Sequence, residues 1–433
     1  MAKTFREYSA DQLLLMSPSL REWLPADHAV YFVADLVETL DLSAIYASYD
    51  EERGYPPYHP LLMTKLLLYG YTRGVRSARK LSEACQVDVA FRILASGQQP
   101  DFRTIASFRA RHLKALGGLF DQVLRLCREA GLAKLGHVAV DGTKIRANAS
   151  KHKAMSYARM KDEEARRRAQ IKAWFDQCAA TDAAEDALYG PDKTGDELPE
   201  ELRDPKRRLE KIREAKAALE AEARAKGKAE PEPKAQRNFT DPESRIMPSN
   251  DKGAFVQAYN CQAAVDADSQ VIVATDVVQA SSDLGQLVPL IGHVQKQLGE
   301  KPKVVSADAG YWVEADLEQL EAEEIEALVA PQKIRHSEWR AMTSPRGRIP
   351  KGLSRKERMA RKLRTKRGRA EYGKRKITAE PVFGQIKGAL GFRQFLLRGH
   401  QKVRQEWRLV CTGNNILKLF RHGFRPQAAP LPG

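Results

Sequence analysis

Three acidic residues stand out by what surrounds them. His137-Val138-Ala139-Val140 runs into Asp141, and Gly142-Thr143-Lys144-Ile145 follows. Val304-Val305-Ser306-Ala307 runs in the same way into Asp308, ahead of Ala309-Gly310-Tyr311. Glu380 opens a helical run, Glu380-Pro381-Val382-Phe383-Gly384-Gln385-Ile386-Lys387. Short stretches of small and β-branched residues read as buried strands, so each Asp is expected at the edge of a sheet. Two strand-borne aspartates and one helix-borne glutamate can converge on a pair of hard divalent cations. Such cations take oxygen ligands and promote in-line attack on phosphodiesters. Each carboxylate also has a plain structural reading. Asp141 and Asp308 suit turns before small residues, and Glu380 suits a first helical turn. Their order, the strand context of both Asp residues and the basic run beside Glu380 favour a joint site.

The elements that must position these groups follow from periodicity. A sheet resumes at 253–260, and two apolar runs, Cys261–Val265 and Val271–Val278, flank a turn at Asp266-Ala267-Asp268-Ser269, a hairpin signal. Helices are expected over 284–298 and 313–324, with a strand at 325–329. The order is strand with Asp, hairpin, helix, strand with Asp, helix, strand, then helix with Glu. That is the order expected of an α/β domain of ribonuclease H-like type. Pro381 lacks a backbone donor, so the helix of Glu380 is expected to begin or kink there.

Residues 1–132 read as all-helical: Asp27 is placed to cap a helix ending at Leu40, Pro60 to open the next, and Pro100-Asp101-Phe102-Arg103-Thr104 to cap one long helix to about Ala130. Arg73 to Gln86 followed by Asp88 to Leu94 reads either as a helix-turn-helix or as an ordinary packed helical hairpin. Residues 151–240 read as a charged helical insertion, with helices near 153–180 and 204–226, a stop at Gly227 and a mobile linker at 229–234. Leu209, Ile212, Ala215 and Leu219 give it only a narrow apolar stripe, so its charges read as a solvated surface. The expected division is a helical domain over 1–132, to which the basic charge and the resemblance given below assign DNA binding, the first part of the catalytic domain over 133–150, the insertion over 151–240, and the rest of the catalytic domain over 241–424. A last helix is expected over 402–417.

Composition narrows the partners. The 433-residue chain carries a formal charge of +16 and a pI near 9.5, which points to a polyanion and first to nucleic acid. Fifteen Lys or Arg fall between Arg346 and Lys376 against two acids, Glu357 and Glu371. So one-sided a run repels itself unless phosphates neutralise it; Arg361, Lys362, Arg364, Lys366 and Arg367 are its candidate contacts, with Lys144 and Arg146 beside Asp141. The five cysteines form no C-x-x-C pair, so no zinc site or disulfide framework is indicated and a reducing cytoplasm is expected, with nucleoid association if the polyanion is DNA. No leader-like h-region follows Met1, and no run is apolar enough to span a membrane. No G-x-x-x-x-G-K-[ST] loop and no convincing Ser or Cys nucleophile are present. His137 reads as structural. Asp241, in Asp241-Pro242-Glu243-Ser244-Arg245, reads as a capped turn or as a further metal ligand, and Glu406 as a partner of Arg404 or Arg408 on its own helix.

Nearly the whole chain resembles a bacterial insertion-sequence transposase of the DDE class, in the subgroup with an InsH-type N-terminal domain. The resemblance rests on Gly54-Tyr55-Pro56-Pro57-Tyr58-His59-Pro60, Pro100-Asp101-Phe102-Arg103-Thr104-Ile105, Asp141-Gly142-Thr143-Lys144, Asn238-Phe239-Thr240-Asp241-Pro242-Glu243-Ser244-Arg245, Ala307-Asp308-Ala309-Gly310-Tyr311 and Glu380-Pro381-Val382-Phe383-Gly384. It implies that Asp141, Asp308 and Glu380 bind two Mg²⁺ or Mn²⁺ ions. It implies further that Tyr372, Arg375 and Lys387 match a Tyr, an Arg and a Lys placed around the Glu. Arg375 stands one residue further from Glu380 than the usual spacing. The activity implied is cleavage and joining of double-stranded DNA at element ends and target, by a homo-oligomer on DNA. A metal-dependent nuclease of the same fold and an inactive DNA-binding protein are the competing readings.

Overall fold

Among the described residues, helices precede and follow a stretch that holds a six-stranded mixed sheet and a two-stranded one. The structure is a computed structural model that describes residues 19–49, 56–150, 153–189, 200–248, 254–333, 343–350 and 352–426, with backbone alone at 174–175, 177–189 and 200–206. It divides into two units, Met1–Leu126 with Thr412–Gly433, and Cys127–Cys411.

The first unit holds α1 (Ala29–Glu38), α2 (Ser43–Tyr46), α3 (Pro60–Arg73), α4 (Ala78–Val87), α5 (Val89–Leu94), α6 (Phe102–Arg111) and most of α7 (Leu113–Glu129). Pro60 stands at the start of α3, where a missing N–H costs nothing, and Asp101 caps α6 by accepting from Arg103 N and Thr104 N. Two expectations need correction. His28, not Asp27, caps α1, its Nδ1 accepting from Val30 N, because Asp27 still lies in the preceding turn. The long helix after Pro100 is two helices: His112 has left helical geometry and is buried between Tyr49 and Phe108, so packing breaks what periodicity would continue. Asp88 alone joins α4 to α5, and α5 buries Ala90, Phe91 and Leu94. Helix-turn-helix connections take three to four residues. The one-residue joint is shorter than that, and the pair buries one face while Arg79, Lys80 and Glu83 of α4 stay exposed.

The second unit is organised on β1 (His137–Arg146). The insertion supplies β2 (Ala154–Ser156), α8 (Tyr157–Tyr189), α9 (Glu200–Ala225) and β3 (Gln236–Asn238). Then come β4 (Arg245–Pro248), β5 (Phe255–Asp266), β6 (Ile272–Val278), α10 (Leu287–Leu298), β7 (Val304–Ala307), α11 (Glu314–Ala322) and β8 (Glu326–Val329). The chain continues through α12 (Arg355–Arg364), α13 (Lys366–Gly384) and α14 (His400–Arg421), whose turns from Thr412 belong to the first unit. The sheet order is β4-β5-β1-β7-β8, with β6 on the free part of β5. β1, β7 and β8 are parallel, and the β5–β6 hairpin runs antiparallel beside them. β1 is thus an interior strand and continues five residues past Asp141, so Gly142 is extended strand and not a turn.

Pro381 neither starts nor ends its helix, since α13 runs through it. The proline withholds the N–H that Ile377 O would have accepted. Gln270 Nε2 takes that carbonyl instead, at 2.9 Å, which satisfies the acceptor a kink would otherwise expose to water. A wide turn of π type, Gln385–Ala389, then closes the helix.

The insertion is more than a solvated hairpin. β2 and β3 pair, and Met155, Tyr157, Met160, Ile212, Ala215 and Leu219 form a core of their own, with Phe239 against it. Gly227 follows the end of α9 at φ +71°. The linker expected to move is tied down: Tyr157 N donates to Ala235 O and Ala158 N to Pro233 O. Among the described residues, no helix is long and apolar enough to cross a membrane. Because β2–β3 pairing brings the two ends of the insertion side by side, joining 153 to 239 through a short Gly-Ser linker should leave the sheet intact. The expected outcome is a cooperative melt and a near-UV circular dichroism spectrum of native type. A molten spectrum would show that the sheet depends on the insertion.

Candidate active site

Two strands bring the two aspartates level. β1 and β7 pair in parallel through His137↔Val304, Val138↔Val305 and Ala139↔Ser306. Two residues further along the same register stand Asp141 and Asp308. Side chains alternate across a sheet, so both lie on the face that carries His137 and Ser306. His137 fixes that face. Its Nε2 meets Ser306 Oγ at 2.8 Å and its Nδ1 meets Glu371 Oε2 at 3.0 Å, binding β1 to β7 and to α13. Burial pushes the His137 imidazole down, against the pull of Glu371. It is a structural tie, as its position heading the strand suggests.

Asp141 is largely enclosed, with a side chain 18% exposed. Its Oδ1 accepts from Gly142 N at 2.9 Å and its Oδ2 faces Arg375 Nη1 at 3.7 Å. Burial raises its pKa to about 6; Arg375 and the Gly142 N–H oppose the rise, while Asp308 and Asp283 add to it. Asp308 heads a short 3₁₀ turn, its Oδ1 accepting from Gly310 N at 2.8 Å. Arg375 sits over the ring of Tyr372, 5.8 Å from its centroid, and burial raises that phenol. Lys387 comes from the π turn and donates to Lys144 O at 3.0 Å. Burial lowers its pKa, and the Asp141 charge counters this in part.

Glu380 lies on α13, between Arg375 and Lys387 in the chain; these two and Tyr372 feel the Asp141 charge. The Glu380 side chain is exposed. Among the described residues, no group of three His, Cys, Asp or Glu is gathered closely enough to hold a metal ion. The structure brings Asp141 and Asp308 level on adjoining strands, and both offer oxygen donors of the kind a hard cation takes; it does not gather exposed Glu380 with them.

Other sequence candidates lie elsewhere. By strand alternation Lys144 and Arg146 point to the opposite face of the sheet, and Arg146 reaches Gln394 Oε1 at 3.4 Å. In the basic run, Lys362 and Arg367 both pair with Glu326, at 3.0 and 2.8 Å. Arg361 donates to the carbonyls of Arg346, Gly347 and Arg348, and Arg364 to Ala360 O. Lys366 is exposed at the start of α13. Asp241 is fully buried; its Oδ1 accepts from Tyr259 Oη at 2.8 Å and from Gly399 N at 3.2 Å. That holds the return from the insertion, in line with its reading as a turn. Glu406 is buried and accepts from Leu396 N and Leu397 N, and Arg404, one of its two expected partners, pairs with Asp276 instead.

Asp283 was not legible in the sequence. Its Oδ1 accepts from Asn260 Nδ2 and Gln262 Nε2, both at 2.7 Å. Gln262 Oε1 in turn accepts from Tyr311 Oη. A Cβ placed on Gly142 would meet Asp283 Oδ1 at 2.6 Å, and one on Gly310 would meet Asp283 Oδ2 at 3.4 Å. This carboxylate is therefore wedged behind the two glycines that follow Asp141 and Asp308. The only sequence signal was the glycines themselves.

The raised pKa of Asp141 makes a stability prediction. Between the usual 3.8 and about 6, the folded state keeps a proton that the unfolded state has lost. Stability from this group is therefore full below pH 3.8 and is lost as pH rises to 6, on the order of 2–3 kcal/mol in all. In metal-free protein, the melting temperature of Asp141→Asn should rise relative to wild type from pH 4 to pH 7. A difference that stays constant with pH would show that Asp141 is not buried as described.

Comparison with protein families completes the description. Residues 18–111 match the family model "Transposase domain (DUF772)", and residues 227–416 match "Transposase DDE domain". The second match includes Asp308 and Glu380; Asp141 lies outside both. No curated protein and no solved structure matches the chain.

Proposed function

The chain belongs to the insertion-sequence DDE transposases, DNA-cutting and DNA-joining enzymes, and from that premise we propose that Asp141, Asp308 and Glu380 are its catalytic carboxylates. The observation that carries the proposal is the level placement of Asp141 and Asp308 on adjacent parallel strands, under a helix that presents Arg375 at 3.7 Å. The catalytic domain is then ribonuclease H-like, with three parallel strands flanked by an antiparallel hairpin. DDE transposases work with divalent metal ions, and Mg²⁺ or Mn²⁺ suits this donor set.

A bound pair of such ions supplies the acidity that activates a water or a terminal 3′-hydroxyl and stabilises the leaving oxygen. The protein's part is to hold, orient and screen. Asp141 and Asp308 offer oxygens fixed by their own neighbours' N–H groups, and each needs its charge to serve. Arg375 keeps the Asp141 carboxylate aimed at the face crossed by α13, and Tyr372 backs the guanidinium. Lys387, bound to the backbone of β1, places a cation where it can take a phosphate oxygen. The substrate is double-stranded DNA, the element's terminal inverted repeats and a target, cut and joined by a homo-oligomer. The exposed cations of the basic run, Lys366 among them, carry the approaching backbone.

Asp141→Asn, Asp308→Asn and Glu380→Gln should each lower Mg²⁺-dependent strand cleavage by at least about a thousandfold, each ΔΔG‡ then exceeding about 4 kcal/mol. Duplex binding should stay within a few-fold of wild type, because affinity comes from basic surface and not from the carboxylates. Cleavage at the wild-type rate in any one variant removes that residue from the site. Cleavage without joining of a 3′-hydroxyl end to a second duplex would make the protein a nuclease.

A further inference from the structure

The insertion carries a cleft of about 760 Å³ whose rim is cationic. Lys153, Arg159, Arg167, Arg207, Arg208 and Lys211 line it, and among the described residues no acidic one does. Only Arg167 is ion-paired with a described residue, through Glu163. The same hairpin shows what neutralisation looks like. Glu164, almost fully buried, takes Arg168, Arg213 and Lys216 at 2.6, 3.3 and 2.9 Å. A solvated helical surface intersperses its charges in that manner. In the cleft five cations have no ion-pair partner among the described residues, and like charge so gathered costs free energy that a bound anion returns. Three of them are guanidinium forks, the group that meets a phosphate with two parallel hydrogen bonds.

We propose that this cleft is a second DNA-backbone site, in which the insertion grips phosphates of the duplex apart from the catalytic face. The proposal rests on the reading of the protein as a DNA transposase. The floor argues for backbone and against bases. Six cations line the cleft against one aromatic, Phe239, which packs partly against the insertion's own core, so phosphate contact outweighs base stacking. The cleft also sits on a module with its own core and a paired two-strand base, a rigid mount for a grip on DNA.

The test uses the full chain with Arg207→Glu, Arg208→Glu and Lys211→Glu combined. These side chains are exposed, and Tyr157 to Leu219 remain to hold the core. Binding to a 40-base-pair duplex of random sequence is followed by fluorescence anisotropy across a salt series. The expected result is a loss of at least tenfold in affinity at 0.1 M salt, and a salt slope flatter by about 2.7, or about 0.9 for each of three phosphates. Acylation of Lys153 and Lys211, read by mass spectrometry, should be blocked by duplex and not by inorganic phosphate at 10 mM. An unchanged slope, or equal acylation with and without duplex, overturns the proposal. Protection by inorganic phosphate alone also overturns it and makes the cleft a small-anion pocket. Wild-type protein that binds no duplex would instead overturn the transposase reading itself.

Discussion

The site depends on the register between β1 and β7. Parallel strands offer no hairpin to set their alignment, so it must come from side chains and from packing on both faces. Here His137 bridges Ser306 and Glu371 four residues before Asp141, locking both strands and α13 at one level. A slip of one residue would send either aspartate to the opposite face. The hydrogen bonds of a single imidazole therefore stand behind the approach of two like charges. Burial and mutual repulsion raise Asp141, and the fold tolerates this because Arg375 faces it and because a metal ion would reverse its sign.

The rear of the site has its own constraint. Asp283 occupies the space that side chains at 142 and 310 would fill, and two amides from β5 hold it there. An alanine at 142 would have to displace a hydrogen-bonded carboxylate and the Gln262 amide together. The glycine after Asp141 is thus a packing requirement of an interior strand. The same carboxylate adds to the field that Asp141 feels, so the support shapes the electrostatics as well as the geometry.

Much of this arrangement was legible in the sequence, and what escaped has physical reasons. Apolar runs ending in Asp141 and Asp308 announced strands, and the hairpin turn after Asp266 announced its partners. Local pattern does not report depth in a sheet, so Asp141 read as a strand end and proved to be mid-strand. Pro381 promised a break, but Gln270, over a hundred residues away, takes the carbonyl it orphans. Glu406 suggested a cheap pair along its helix. Tertiary structure turned it inward to the backbone at 396 and 397. Asp283 had no pattern at all, since its meaning comes only from glycines on two other segments. In the basic run, composition counted Lys362 and Arg367 as free cations, and the fold gives both to Glu326.

The central claim is that the β1–β7 register makes a cation site of Asp141 and Asp308, completed by Glu380 from α13. Its most direct test places a redox-active ion in the site and lets it mark the backbone around it. With Fe²⁺ in place of Mg²⁺, ascorbate and peroxide generate hydroxyl radicals that cut the chain close to the bound metal. The account predicts cuts clustered near 141, 308 and 380, suppressed together by excess Mg²⁺ and lost in Asp141→Asn. Cuts confined to other acidic stretches, or cuts that persist unchanged in Asp141→Asn, would contradict it.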